Sequence, residues 1–199
     1  MQKMKTVFVI NRDDHVATSD VVPASAWVLS EGSATVKFDG TSAMVRAGQL
    51  FKRYDVRKGK AVPDGALPCE DAPDAVTGHW PHWVPVKADE PMDRWHLEAF
   101  RYMSESGDVA DGTYELLGPK VQGNLYGLER HVLVRHGTLV TEVERSRDGI
   151  VQWLKDNAHE GIVFLHPDGR MAKVRRKDFA KDEVGKLNAY DGAFVKALI

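Results

Sequence analysis

Four short segments of the chain carry side chains that could act together on a phosphate ester. In chain order they are residues 36–40 with Lys37, residues 114–116 with Glu115, residues 160–163 with Glu160, and residues 173–175 with Lys173 and Arg175. A lysine attacks the α-phosphorus of a nucleoside triphosphate only as the neutral amine, and a free lysine, with a pKa of ~10.4, is almost wholly protonated at neutral pH. The set therefore predicts a nucleophilic lysine whose surroundings favour the neutral form.

Lys173 and Arg175 could supply those surroundings. They are two residues apart, so on a strand both side chains point to the same face. Nearby cations and partial desolvation favour the neutral form of a lysine. The same two cations could also cover the phosphates of the triphosphate. We therefore expect Lys37 to lie beside a cationic strand.

Strand-like runs in the first third of the chain would position Lys37. The runs are residues 6–10, 34–38, 42–46 and 50–56, and residues 47–49 predict a hairpin turn between the last two. Asp39 and Gly40 follow the apolar run 34–36 and are expected to turn the chain there. This part of the sequence predicts an antiparallel ribbon.

The remaining segments predict loops, helices and further strands. Proline, glycine, aspartate and tryptophan in residues 63–91 predict a long ordered loop. Helical spacing covers residues 92–103 and recurs around residues 150–154, with Asp148 as the expected cap. Strands are expected at residues 113–117, 131–134, 138–143, 161–165 and 170–175, with a turn at 167–169. The fold class predicted is α+β, with antiparallel sheets and flanking helices.

Composition restricts the classes of protein that fit. The chain has 199 residues and a net charge of −2, so contact with nucleic acid must come from local basic patches. Two patches are present: Lys52, Arg53, Arg57, Lys58 and Lys60, and Arg170, Lys173, Arg175, Arg176 and Lys177. The single cysteine, Cys69, excludes an internal disulfide. No run approaches the ~20 apolar residues of a membrane helix, so we expect a soluble, cytoplasmic protein without membrane contact.

The four segments, in this order, resemble the covalent nucleotidyltransferases, which include ATP-dependent DNA and RNA ligases and GTP-using capping enzymes. Order and spacing look most like the small ATP-dependent RNA ligases of the human 5′-to-3′ type, over residues 37–179. Supporting segments are residues 78–79, 83–86, 95–96, 123–127 and 131–137. The DNA ligase and capping pattern places an arginine five positions after the lysine, where this chain has Ser42. That departure favours the RNA-ligase side.

The resemblance implies an architecture and a set of site residues. It implies one nucleotidyltransferase (adenylation) domain over residues 1–180 without an OB domain, followed by a short C-terminal tail at residues 181–199. The catalytic residues would be Lys37, Lys173 and Arg175, and ATP would be bound by Asp39, Gly40, Arg53, Glu115, His131, Glu160 and Lys173. Glu160 would also hold a divalent metal ion, Mg or Mn.

The resemblance also implies individual roles and a partner. Glu115 and Arg53 would contact the ribose, and His131 would stack on the adenine. Lys37 would take AMP from ATP and pass it to the 5′-phosphate of RNA, where a 3′-hydroxyl then displaces it. RNA is the expected partner, held by residues 52–60 and 118–127 and by Arg176 and Lys177.

Other interpretations stay open. A DNA ligase or capping enzyme shares the covalent step but is disfavoured by Ser42, and a nucleic-acid-binding module with a decayed site is disfavoured by the intact motifs. A transferase that adenylylates proteins or small molecules shares the first step and is not excluded. Singly, each motif also has a structural meaning: His131 could be an ordinary strand histidine, and residues 170–177 a solvated basic face.

Overall fold

The computed structural model describes residues 4–107 and 109–198. Its strands are β1 (Lys5–Thr6), β2 (Phe8–Ile10), β3 (Ala17–Val21), β4 (Ser33–Lys37), β5 (Thr41–Arg46), β6 (Gln49–Val56), β7 (Leu67–Pro68), β8 (Trp80–Pro85), β9 (Gly112–Leu117), β10 (Val132–Arg135), β11 (Val140–Thr141), β12 (Gly161–Leu165) and β13 (Met171–Arg175). Its α-helices are α1 (Arg94–Glu105), α2 (Arg147–Asp156), α3 (Lys181–Val184) and α4 (Ala193–Ala197). Short 3₁₀ segments cover Pro23–Leu29, Pro91–Asp93, Gln122–Asn124 and Arg176–Asp178.

The α+β class with antiparallel sheets is confirmed. Among the described residues, every strand pair is antiparallel except β1 with β13. The two larger sheets have the orders β1-β13-β12-β4-β11 and β10-β9-β5-β6-β8-β7, and β2 pairs with β3. Within residues 4–107 and 109–198, no helix is long and apolar enough to cross a bilayer.

The described chain divides into two compact units, each built from separate stretches of sequence. The six-stranded unit contains residues 39–107, 109–136 and 192–198, and the five-stranded unit contains residues 4–38 and 137–191. The predicted division into a domain at 1–180 and a tail at 181–199 stays a prediction, and its residues 1–3, 108 and 199 lie outside the described residues. Within residues 181–198, α3 and α4 bury Val184 and Val195.

In the five-stranded unit, β12 lies between β4 and β13, and alternation divides the side chains between two faces. Val36, Ile162 and Val174 are opposite one another on the buried face, and Ala34, Phe164 and Ala172 form the next row. Since neighbouring residues on a strand point to opposite faces, Lys37, Lys173 and Arg175 share the other face.

In the six-stranded unit, β5 and β6 form the predicted hairpin. Ala47 and Gly48 have positive φ of 50° and 72°, the conformation that a two-residue hairpin of the primed type requires. The core behind this sheet joins Ala43 and Val45 to Leu116 on β9 and Ala99 on α1. This packing fixes β9, which carries Glu115.

The expectation that Asp39 and Gly40 turn the chain within one ribbon is wrong. β4 pairs with β12 and β11, whereas β5 pairs with β6 and β9, so the chain leaves one sheet after Lys37 and enters the other. Gly40 is needed for a different reason. A Cβ there would lie 2.2 Å from the Leu116 carbonyl oxygen, so only glycine lets the backbone pass this close to β9.

The expected loop at residues 63–91 contains two strands, β7 and β8. Strand β8 pairs with β6 along six positions and buries Trp83 and Val84. Pro81 and Pro85 lack an N–H group to donate, so this run has a weak strand signal in the sequence. Burial of the Trp83 side chain explains why residues 80–85 nevertheless form a strand.

Both predicted helices are present, with shifted ends. α1 begins at Arg94 instead of residue 92, and α2 is capped by Ser146 instead of Asp148. The Ser146 hydroxyl accepts a hydrogen bond from the Gly149 amide at 3.0 Å. A serine hydroxyl and an aspartate carboxylate are similarly good caps, so sequence alone did not distinguish these positions.

Candidate active site

Lys37 is the last residue of β4, and its neighbours come from β12 and β13. In the register of the sheet, Gly161 is opposite Lys37 on one side and opposite Arg175 on the other. A Cβ at residue 161 would lie 2.1 Å from the Val174 carbonyl oxygen. Glycine is therefore required here, and no side chain stands between Lys37 and Arg175 in this row.

An ion pair joins Lys37 to Glu160. The distance from Lys37 Nζ to Glu160 Oε2 is 2.5 Å, and Nζ also donates to the Phe38 carbonyl oxygen at 3.1 Å. The two side chains are 16% and 11% exposed, so solvent screens this pair weakly. Two residues that the sequence separates by 123 positions are thus brought into direct contact.

Lys173 and Arg175 lie on the same face of the sheet as Lys37. Burial, and next the Arg175 guanidinium and the Lys37 ammonium, lower the pKa of Lys173 to about 8. Arg175 donates to Asp178 at 2.7 Å from its Nη2 and 3.1 Å from its Nε. This face therefore holds three cationic side chains with the Glu160 carboxylate among them.

Glu115, another predicted site residue, is buried in the six-stranded unit. Its Oε1 accepts from the Gly40 amide at 3.0 Å, and its Oε2 accepts from the Ser42 hydroxyl at 3.2 Å. Ser42 occupies the position where the DNA ligase and capping pattern has an arginine. Here that position supplies a short hydroxyl that holds the Glu115 carboxylate.

His136 is a third partner of Glu115, and none of the sequence motifs assigns it a role. Its Nε2 lies 2.8 Å from Glu115 Oε2 and its Nδ1 lies 3.0 Å from the Thr113 hydroxyl. The contact depends on the pairing of β10 with β9, which places His136 next to Thr113. Sequence spacing does not fix that register, so no local signal pointed to this residue.

Asp39 and Arg53 lie in the same unit and have aromatic partners. The Tyr126 hydroxyl oxygen accepts a hydrogen bond from the Asp39 amide at 2.8 Å. The Arg53 guanidinium lies 5.4 Å from the centre of the Trp83 ring, in the range of a cation–π contact. Neighbouring Lys52 is ion-paired to the buried Asp93.

His131 is buried against α1. Its ring is stacked on Trp95 with centroids 4.5 Å apart and planes 16° apart. Its Nδ1 lies 3.0 Å from Glu98 Oε1, and its Nε2 accepts from the Lys120 amide at 3.2 Å. With 3% exposure and these contacts, His131 fits the structural interpretation better than adenine stacking, which stays a prediction.

Arg176 does not belong to an RNA-contacting surface, contrary to expectation. Its guanidinium is buried and donates to the carbonyl oxygens of His159, Val184, Leu154 and Asn157. Its backbone amide donates to the Glu160 carbonyl oxygen at 2.7 Å. A guanidinium saturated in this way cannot bind a phosphate without breaking the fold, whereas Lys177 is exposed.

The donor set limits the kind of metal that this chain could hold. Among residues 4–107 and 109–198, no group of three or more His, Cys, Asp and Glu side chains is arranged to hold a metal ion. Mg²⁺ is commonly bound by one or two carboxylates together with water and substrate phosphates. The Glu160 carboxylate, on a cationic face suited to phosphates, fits an ion that arrives with a triphosphate.

Curated proteins similar to this chain are RNA ligases. A match of 130 residues, 50% of this chain, is 30% identical to RNA ligase 1 of Pongo abelii and covers 40% of that protein. RNA ligase 1 of Danio rerio is 31% identical over 132 residues, with the same coverage of 50% and 40%. The matched part of this chain thus spans about two fifths of the length of these relatives.

Two other comparisons add little. No family model matches the chain. Among solved structures, RNA ligase R4a of Naegleria gruberi aligns with 99% of this chain and 63% of its own, at 14% identity and a TM-score of 0.38, which is too low to carry an argument.

Proposed function

We propose that this chain is an ATP-dependent RNA ligase that seals RNA 5′-phosphate and 3′-hydroxyl ends through a lysyl-AMP intermediate. The observation that carries the proposal is the contact of Lys37 with Glu160 on a face shared with Lys173 and Arg175. A single amine beside one carboxylate and two further cations suits attack on a polyanionic phosphate. The relatives named RNA ligase 1 support RNA as the polymer.

In the proposed first step, Lys37 Nζ attacks the α-phosphorus of ATP. The N–P bond forms, the bond between the α-phosphorus and the α,β-bridging oxygen breaks, pyrophosphate leaves, and the proton lost from Nζ passes to solvent. An ammonium has no lone pair for attack, so Lys37 must first lose a proton, which becomes easier once the Glu160 carboxylate no longer stabilises the charged form. Glu160 would hold the divalent ion, which when bound neutralises charge on phosphate oxygens.

Lys173 and Arg175 are proposed to bind the triphosphate. Both lie on the face of Lys37, and phosphoryl transfer depends chiefly on positioning and charge neutralisation. Arg175 is oriented by Asp178, which fixes the plane of its guanidinium. With a pKa of about 8, Lys173 keeps most of its charge at neutral pH.

The nucleoside would be held by residues of the six-stranded unit. Glu115 is proposed to accept a ribose hydroxyl, with Arg53 as a second ribose contact. Asp39 and Gly40 would shape the backbone beside Glu115, while adenine stacking by the buried His131 stays a prediction. The Gly40 amide donates a hydrogen bond to the Glu115 carboxylate, which supports their assignment to one nucleoside pocket.

The second and third steps would join the two RNA ends. The AMP moves from Lys37 to the terminal 5′-phosphate of an RNA strand, which forms a phosphoanhydride. The 3′-hydroxyl of the other end then attacks that 5′-phosphate, and AMP leaves. Both are transfers at phosphorus that the same cationic face could support.

Labelling with ATP tests the first step. The protein is incubated with α-labelled ATP and Mg²⁺ or Mn²⁺, then run on a denaturing gel. We expect an acid-labile label in the wild type, none in Lys37→Ala, and retained label in Lys177→Ala, an exposed lysine that serves as the matched control. Label in Lys37→Ala would remove this lysine from the mechanism.

Sealing tests the polymer. All-RNA, all-DNA and mixed nicks and single strands, each with 5′-phosphate and 3′-hydroxyl ends, are compared at equal concentration. The expected result is fastest sealing of an RNA 3′-hydroxyl, where the terminal 2′-hydroxyl distinguishes RNA from DNA. Faster sealing of the all-DNA nick than of every RNA substrate would overturn the RNA-ligase proposal and leave the lysyl-AMP step standing.

A further inference from the structure

His136 bridges two side chains of β9. Thr113 and Glu115 are two residues apart on that strand, so both point to the same face. The imidazole lies over them, with Nδ1 at 3.0 Å from the Thr113 hydroxyl and Nε2 at 2.8 Å from Glu115 Oε2. Its backbone amide donates to the Thr113 carbonyl oxygen at 3.0 Å, so main chain and side chain are both fixed.

The contacts determine which ring nitrogen carries a proton. An ionised carboxylate can only accept, so His136 Nε2 must be the donor to Glu115. In the neutral ring Nδ1 then accepts, and the Thr113 hydroxyl is its donor. Thr113 thereby fixes the tautomer and the ring orientation, and His136 in turn fixes one oxygen of Glu115.

Counting acceptor positions shows what remains for a ligand. A carboxylate offers about four lone-pair positions. The Gly40 amide occupies one on Oε1, and the Ser42 hydroxyl and His136 occupy two on Oε2. About one position is left, on Oε1, which is enough for one hydroxyl group.

We propose that His136 is a positioning residue that, by holding Glu115 Oε2, sets selectivity for a ribose hydroxyl of the nucleotide. The inference rests on the proposed function, because it takes Glu115 as the ribose contact. Without His136 the carboxylate can rotate and offer either oxygen. The free acceptor position then loses its direction, and so the advantage of a ribose over a deoxyribose falls.

Two substitutions separate the two contacts of the ring. In His136→Gln the side-chain amide nitrogen occupies the place of Nε2 and can still donate to Glu115. In His136→Asn the amide reaches only the place of Nδ1, so contact with Thr113 is kept and contact with Glu115 is lost. His79→Asn is the matched control, because His79 is 47% exposed and its nearest acid, Asp55, is 3.9 Å away.

The experiment measures the rate of Lys37 labelling with ATP, 2′-deoxy-ATP and 3′-deoxy-ATP over a range of nucleotide concentrations. Wild type should prefer ATP over at least one deoxy form by roughly ten-fold or more in kcat/KM, the value of one hydrogen bond to a charged group. In His136→Asn that ratio should fall at least about five-fold, through KM rather than kcat. His136→Gln and His79→Asn should stay within about two-fold of wild type.

The outcomes separate this inference from the proposed function. A wild type that labels, with the same selectivity ratio in His136→Asn, overturns the role of His136 alone. A wild type that labels without discriminating any deoxy form overturns it as well. A wild type that takes no label from any nucleotide overturns the proposed function and this inference together. Thermal melting of both variants, expected to match, shows that the ratio and not the fold has changed.

Discussion

At the scale of single residues, the pairing of Lys37 with Glu160 has an energetic consequence. Both side chains are largely buried, so removing one partner leaves the other as an uncompensated charge in a poorly solvated place. The same carboxylate is needed by the proposed metal ion. If the proposed function holds, stability and activity therefore share the Glu160 carboxylate.

A double-mutant cycle should measure this coupling. We expect Lys37→Met and Glu160→Gln each to lower the free energy of unfolding, and the double variant to lose less than the sum, with a coupling of about 1–3 kcal/mol. Urea unfolding monitored by tryptophan fluorescence provides the values. Additive effects would show that the pair contributes nothing to stability.

The charged side chains around Lys37 divide into those that share its face and those that do not. We expect Glu160→Ala and Lys173→Ala each to lower labelling at least about 100-fold, because both groups are proposed to act on the triphosphate and its metal ion, while Lys177→Ala keeps it. Gel labelling at saturating ATP is the measurement. Equal loss in all three variants would contradict this division.

Arg176 contributes to the stability of the fold. Its guanidinium donates to four carbonyl oxygens, and burial lowers its pKa. We expect Arg176→Lys to cost about 3 kcal/mol or more, because an ammonium cannot reproduce the planar fork. Unfolding curves measure the loss, with Lys177→Ala as the neighbouring control. An unchanged midpoint would show that the buried contacts are weak.

At the scale of elements, Gly161 is the point where three strands meet the candidate site. It belongs to β12 and lies opposite both Lys37 and Arg175. A methyl group there collides with the backbone of β13, whose carbonyl oxygen cannot move without breaking the ladder. The spacing between β4, which carries Lys37, and β13, which carries Lys173 and Arg175, therefore depends on this glycine.

Gly161→Ala should lower the free energy of unfolding by about 2–3 kcal/mol and also weaken labelling, since β12 and β13 must move apart. Gly48→Asn is the control, because a Cβ at Gly48 meets nothing within 4 Å and asparagine tolerates the positive φ of 72°. Its cost should stay within about 1 kcal/mol. Equal effects of the two changes would contradict the close-packing argument.

The elements that the sequence predicts well are those defined by local chemistry. The β5–β6 hairpin follows from the turn at Ala47 and Gly48, and β12 and β13 follow from apolar alternation around the turn at residues 167–169. The pairing of β4 with β12 could not be predicted. The two strands are more than 100 residues apart in sequence, and pairing between such distant segments leaves no local signal. His136 was missed because its contact with Glu115 depends on the register of β10 against β9, which sequence spacing does not determine. Motif order singled out Lys37 and Glu160, whose roles in a site stay predictions.

At the scale of the whole molecule, each compact unit is built from discontinuous sequence. Strand β4, in residues 4–38, is completed by β12 and β13, in residues 137–191, and residues 39–136 form most of the other unit. The net charge of −2 gives no general attraction for nucleic acid. Any RNA binding must come from local basic patches and should weaken steeply with salt.

Buried histidine makes the stability of the molecule depend on pH. Burial lowers the pKa of His96 to about 4, although Asp93 opposes this shift, and neither ring nitrogen has a hydrogen-bond partner among the described residues. In the unfolded chain His96 has its ordinary pKa of 6.5. The contribution of the neutral, buried His96 to stability is therefore fully present above that pH and is lost as the pH falls toward 4. The other charged neighbours, Lys52 and His131, act in the same direction as burial.

We expect the free energy of unfolding to fall by about 2 kcal/mol between pH 7 and pH 5 through His96 alone. His96→Phe should remove that part of the pH dependence, whereas His79→Asn, at an exposed position, should leave it. Urea unfolding at pH 7, 6 and 5 is the measurement. Parallel pH profiles in wild type and His96→Phe would assign the acid sensitivity to other groups.

The long separation of β4 from its partners also matters while the protein is being made. As the chain leaves the ribosome, the strand that ends in Lys37 appears early, and β12 appears only after residues 39–136 have been synthesised. Strand β4 must stay unpaired during that interval, since contacts between distant segments form last. A nascent chain that stops short of Gly161 therefore carries the lysine without the carboxylate and the cations that would make it chemically useful.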